Sequence, residues 1–197
     1  MKRLPFMGVL IGTALAAVAL VSCTDPKPEP SDLAPPPIPR VQISTLEELP
    51  TPLPLPYDDK ATPAEVTAAI DAAFDRARAT NKRVIVDLGG NWCSWCRSLA
   101  GVMALPEVKP FLDANFEIVH VDVGIEKGEM DRRPEVLKRF GLEKIDGTPW
   151  LVVAEPDGTV IHSSYEVTDD DHQTPPKMVE WLAKWVRPAA TTNKGAV

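Results

Sequence analysis

Two cysteines separated by two residues, in the run "GGNWCSWCR" over residues 89–97, form the part of this chain best suited to chemistry. Cys93 and Cys96 at this spacing can cycle between two thiols and a disulfide, supply half of a tetrathiolate zinc site, or form a short structural cross-link. A zinc site needs two more ligands. The chain has no second cysteine pair, and His120, His162 and His172 show no H-x-x-x-H spacing. A purely structural disulfide would close a loop too small to constrain the unfolded chain much. Two soft thiolates also hold Cu(I), which gives the rival reading of a non-catalytic copper-binding module, although no methionine or histidine adjoins the pair. Redox exchange needs no metal or cofactor, and none is assigned.

What flanks the cysteines favours exchange. "RVIVDL", residues 83–88, is an apolar, β-branched run of the length of a buried strand, followed by Gly89 and Gly90. Cys93 then falls at the start of the helix expected over "SLAGVMAL". Unpaired N–H groups and the positive end of the helix dipole lie there, and both favour a thiolate. Cys93 is therefore expected to be the exposed nucleophile. Cys96, one turn further in, is placed to attack a mixed disulfide and release the substrate.

The elements that must position this pair can be read on either side. "TPAE" offers Thr62 as N-cap, Pro63 at the first helical position and Glu65 three residues after the cap, and Val66, Ile70, Phe74 and Ala77 continue at helical spacing to about Thr80. "FEIVHVDV" alternates like a strand, and "PEVLKRFGL" has a proline start and a glycine stop. "PWLVVAEPDGTVIHSSY" is two strands about a turn, and "PPKMVEWLAKWV" places Met178, Trp181, Leu182 and Trp185 on one face of a final helix. The predicted order is helix, strand, helix, strand, helix, hairpin, helix, an α/β fold with a central sheet flanked by helices. "GIEKGEMDRR" is read as a surface loop.

The N-terminal third has another character. "MKR" followed by a long apolar run with small residues near its end reads as an export signal, or alternatively as an uncleaved membrane anchor. Residues 24–56 hold 11 of the chain's 21 prolines, so residues 23–56 are assigned to an extended spacer, reaching at most about 100 Å. Within it "VQISTLEEL" is read as a short ordered piece. The folded domain is assigned to residues 57–188 and a disordered tail to 189–197. A net charge of −7 without a basic stripe argues against a nucleic-acid partner.

Two resemblances sharpen these readings. "LVSC", residues 20–23, resembles the lipobox of bacterial lipoproteins, which implies cleavage after residue 22, lipidation of Cys23 and attachment to a membrane of the cell envelope. Thr24 is not the aspartate that retains such proteins at the inner membrane, which favours the outer one. Lipidation also removes the odd cysteine of the three, leaving Cys93 and Cys96 as one pair in an oxidising compartment.

"VIVDLGGNWCSWCR", together with "DGTPW" further on, resembles the thioredoxin superfamily, and "KRVIVDLGGNWC" with "LPEVKPFLDANFEIVHVDV" is most similar to the thioredoxin-like domain of the DsbD reductant carrier. The resemblance implies a thioredoxin-like fold and a thiol–disulfide oxidoreductase acting on client proteins, read first as a reductase kept reduced by a DsbD-type membrane electron donor, with a disulfide isomerase or oxidase as the alternative. It implies that Asp87 is a buried acid accepting the proton of Cys96, that Pro149 is cis, and that Trp92, Thr148 and Pro149 contact the substrate. The intervening pair Ser94–Trp95 departs from the family's Gly-Pro. His120 falls roughly where the family often has a lysine, and is read either as tuning Asp87 or as titrating at an unrelated edge.

Overall fold

A computed structural model of the chain describes residues 37–124 and 133–188. The export signal, Cys23, the tail from residue 189 and most of the loop read in "GIEKGEMDRR" lie outside the described residues. Among the described residues, no helix is long and apolar enough to cross a membrane.

Helix α1 (Pro63–Thr80) starts where the capping signal places it: the Thr62 side chain accepts from Glu65 N, and the Glu65 carboxylate accepts from Thr62 N at 2.8 Å. Strand β1 (Arg83–Gly89) follows, then α2 (Ser94–Met103), α3 (Lys109–Asn115), β2 (Phe116–Asp122), α4 (Pro134–Arg139), β3 (Trp150–Ala154), β4 (Val160–Ser164) and α5 (Pro175–Ala183). Helix α3 is the element missing from the predicted order. It is seven residues long, no side chain caps it, and a proline stands in its first turn, so it carries too little periodicity to be read from sequence. Phe111 and Leu112 bury its apolar side.

The strands form one mixed sheet in the order β2-β1-β3-β4, with β1 parallel to β2 and antiparallel to β3, and with β3 and β4 as the expected hairpin. Because side chains alternate along a strand, β1 divides its residues between two cores. Val84, Val86 and Leu88 pack with α1 and α4, while Ile85 packs with α2, α3 and α5. Asp87 belongs by that alternation to the face of Ile85, the face that α2 covers. The parallel register sets His120 directly beside Asp87 on the neighbouring strand. Trp181 is buried in the core and Trp185 packs at its edge, as expected of the last helix.

The ordered piece read in "VQISTLEEL" is present, and the spacer reading requires correction beyond it, from Pro50 onward. Residues 41–57 form a strap along the α2 side of the domain, with a 3-10 turn at Leu46–Glu48. Val41, Ile43, Leu46 and Leu53 pack against the core and Leu49 is buried within it. The proline count conceals this pattern: prolines forbid regular helix or ladder bonds, yet they leave the apolar residues between them free to dock. Gly101 makes the approach possible, since a Cβ there would stand 3.1 Å from Leu53 and 3.2 Å from Leu49. It is a helix-interior glycine whose helix cost is offset by close packing.

Replacing Leu49 by alanine is predicted to destabilise the domain by about 2–5 kcal/mol in urea unfolding, the range of buried leucine truncations. Leu55→Ala on the same strap, at a side chain 64% exposed, should stay within about 0.5 kcal/mol. Equal small effects at both positions would show that the strap does not pack.

Candidate active site

The site begins where β1 runs out. After Gly89 and Gly90 the chain turns so that Cys93 N donates to Gly90 O, and Cys93 becomes the N-cap of α2. Its Sγ accepts the N–H of Cys96 at 3.1 Å, the bond that a serine or aspartate oxygen makes at most helix starts. Cys93 and Cys96 are joined by a disulfide, with their Cα atoms 5.2 Å apart. The same sulphur of Cys93 lies 3.5 Å from the carbonyl oxygen of Thr148, whose bond to Pro149 is cis. The residues singled out at both ends of the chain's active segment therefore meet in space.

Exposure follows the expected order but not the expected degree. Cys96 is fully buried and Cys93 keeps 7% of its surface, so Cys93 is a recessed sulphur rather than an exposed one. Tyr57 and Trp95 close around the pair. Trp92, 36% exposed, stands at the rim, and its Nε1 donates to Gly124 O.

Below the cysteines lies a buried polar group. Asp87 has no exposed surface, and its Oδ2 accepts from the Tyr57 hydroxyl at 2.7 Å and contacts His120 Nδ1 at 2.9 Å. A carboxylate can only accept, so with Asp87 ionised the imidazole proton sits on Nδ1. The Tyr57 and His120 rings meet edge to face at 5.3 Å. Of the two readings of His120, the register and this contact place it on Asp87. Burial, and then the negative charge of Asp87, push the Tyr57 phenol well above its ordinary ionisation range, so it stays a donor.

Tyr57 and Asn91 are the site residues that sequence reasoning missed. Tyr57 N donates to Asn91 Oδ1 at 3.2 Å, and Asn91 Nδ2 donates back to Tyr57 O at 2.7 Å, which pins the end of the strap to the cysteine loop. No spacing connects two residues 34 apart. The available signal was one amphipathic aromatic at the end of a proline run, just before a helix cap. Gly89 is required beneath them: a Cβ there would stand 2.7 Å from Cys96 Sγ and 2.8 Å from the Tyr57 hydroxyl.

A family model described as thioredoxin-like matches residues 65–156. This part of the chain is a thioredoxin-like domain. Among solved structures, the chain is similar to a disulphide isomerase from Xylella fastidiosa Temecula1, with 26% identity, a TM-score of 0.57, and coverage of 67% of this chain and 97% of that one. It is also similar to a thioredoxin from Thermus thermophilus (19% identity, TM-score 0.43, covering 58% and 81%). A third is the oxidised C-terminal domain of DsbD from Neisseria meningitidis (26%, 0.39, covering 60% and 95%). No curated protein matches the chain significantly. A paired C-x-x-C in a thioredoxin-like domain supports thiol–disulfide oxidoreductase activity, because the pair can store and release two electrons by closing and opening one S–S bond.

Proposed function

We propose that the protein reduces disulfides of client proteins in the bacterial cell envelope while tethered to a membrane through a lipid on Cys23. The observation that carries the chemistry is the position of Cys93 Sγ, at the N-terminus of α2 and 3.5 Å from the Thr148 carbonyl. In the reduced pair, the Cys93 thiolate attacks one sulphur of a client disulfide. A Cys93–client S–S bond forms, and the second client sulphur leaves as a thiolate. The backbone of Thr148 beside cis-Pro149 offers an edge for an extended client strand, with Trp92 at its flank. Cys96 then attacks Cys93, Asp87 takes the Cys96 proton, and the client leaves with two electrons gained. The pair is left oxidised, and a DsbD-type membrane donor would reduce it for the next cycle.

The tether rests on the basic start, the apolar run and "LVSC", and Thr24 after the lipidated cysteine favours the outer membrane. A second reading, disulfide isomerase, is favoured by the similarity to the Xylella fastidiosa disulphide isomerase. An isomerase would use the same Cys93 attack and release a rearranged client without net reduction.

Cys96→Ala is predicted to leave clients covalently held on Cys93, recoverable from envelope extracts as adducts that dithiothreitol releases, while Cys93→Ala captures none. Absence of adducts where the wild type reduces insulin would contradict the assigned roles. Labelled fatty acid is expected in the wild type and lost in Cys23→Ser, and equal labelling of both would remove the lipid tether.

A further inference from the structure

The strap that ends at Tyr57 does more than cover the cysteines. The Tyr57 hydroxyl has one hydrogen, and it is committed to Asp87 Oδ2 at 2.7 Å. Its oxygen lone pairs remain available. The hydroxyl and Cys96 Sγ lie within 3 Å of the same point in space, the place a Cβ on Gly89 would occupy, and Tyr57, Cys93 and Cys96 form one packed cluster. A thiol at Cys96 thus shares its packed cluster with an oxygen acceptor whose own proton already points at the buried carboxylate.

We propose that Tyr57 is the proton relay between Cys96 and Asp87. The proposal deepens the exchange chemistry above and rests on it. As Cys96 attacks the Cys93–client disulfide, its thiol proton passes to the Tyr57 oxygen, and the Tyr57 proton passes to Asp87 Oδ2. The Cys96–Cys93 bond forms, the Cys93–client bond breaks, and the client sulphur leaves as a thiolate that takes a proton from solvent. Tyr57 ends as it began. Asp87 returns its proton to solvent on the side of His120, whose side chain is 23% exposed and lines a cavity of about 470 Å³ with Pro54, Pro56 and Met103. When the disulfide is reduced, the same relay runs backward and delivers a proton to the departing Cys96 sulphur.

Three features fit this role better than simple core packing. A phenylalanine would fill the same space without placing a hydroxyl beside a sulphur. The reciprocal Asn91 bonds fix the Tyr57 backbone to the cysteine loop, so the hydroxyl is held in register with Cys96. Burial and the Asp87 charge keep the phenol protonated, which a relay that must donate to a carboxylate requires.

The test separates the two halves of the exchange. Reduced protein mixed with excess 5,5′-dithiobis(2-nitrobenzoate) releases one thionitrobenzoate when Cys93 attacks and a second when Cys96 resolves the adduct, and stopped-flow absorbance resolves both phases. In Tyr57→Phe the second-phase rate, relative to the first, is expected to fall about tenfold or more at neutral pH, within the range of proton-transfer effects. It should recover in strongly alkaline solution, where the Cys96 thiol ionises unaided. Asp87→Asn should give the same profile, and the double variant should lose no more than either single one. An unchanged ratio in Tyr57→Phe, a loss equal at every pH, or additive losses in the double variant would overturn the relay. A wild type without a second phase would instead overturn the exchange reading itself, and the relay with it.

Discussion

One sulphur serves as a helix cap, and the arrangement of the site depends on it. At the start of α2 the acceptor for the N–H of Cys96 is Cys93 Sγ. A thiolate there meets oriented N–H groups and the positive end of the helix dipole, while the corresponding thiol loses both favourable terms. In the exchange proposed above, this capping position is what would favour the reactive form of the first cysteine once the disulfide is reduced. It also fixes the second cysteine one turn along, with its sulphur beneath the first. The remaining elements hold this helix start against two others: the end of β1 below it and the Thr148–Pro149 bond beside it.

Below the sulphurs the constraint is electrostatic. A buried carboxylate carries a desolvation cost of several kcal/mol that hydrogen bonds offset, and at Asp87 both bonds fall on Oδ2, while Oδ1 has no hydrogen-bond partner among the described residues. The sheet supplies one partner by register, since parallel pairing of β1 and β2 sets His120 opposite Asp87. The strap supplies the other, Tyr57, from outside the repeating elements. The proline-rich segment thus has a structural consequence: its apolar residues dock it on α2, and its last residue gives Asp87 Oδ2 a second partner under the disulfide. The fold and the site are coupled through a stretch that regular secondary structure does not include.

The parts of this architecture legible in the sequence are those written by local rules. Thr62 and Glu65 announce α1 because a capping box needs only four residues. The β1 run, the hairpin about "EPDG" and the final amphipathic helix follow from periodicity and turn chemistry. Cys93, Cys96, Asp87 and Pro149 were found through motif and resemblance, and the structure brings them within one site. What was not legible depends on contacts distant in sequence. The docking of Leu49 is set by a glycine 52 residues further on, at Gly101, and the role of Tyr57 by Asp87 and Asn91. Helix α3 was hidden for a different reason, its brevity. The recessed setting of Cys93 follows in part from long-range cover, since Tyr57 packs against the pair from outside its local sequence, while Trp95 closes on it from within the same run.

The most direct measurement of the central claim is the pH dependence of Cys93 alkylation by iodoacetamide in the reduced protein, with Cys96 replaced by alanine so that one site-cysteine rate is read. A cap position that stabilises the thiolate predicts a rate midpoint well below the value of about 8.5 for a free cysteine. A midpoint at or above that value would contradict the account, because the helix start would then confer no charge stabilisation on the sulphur that must attack.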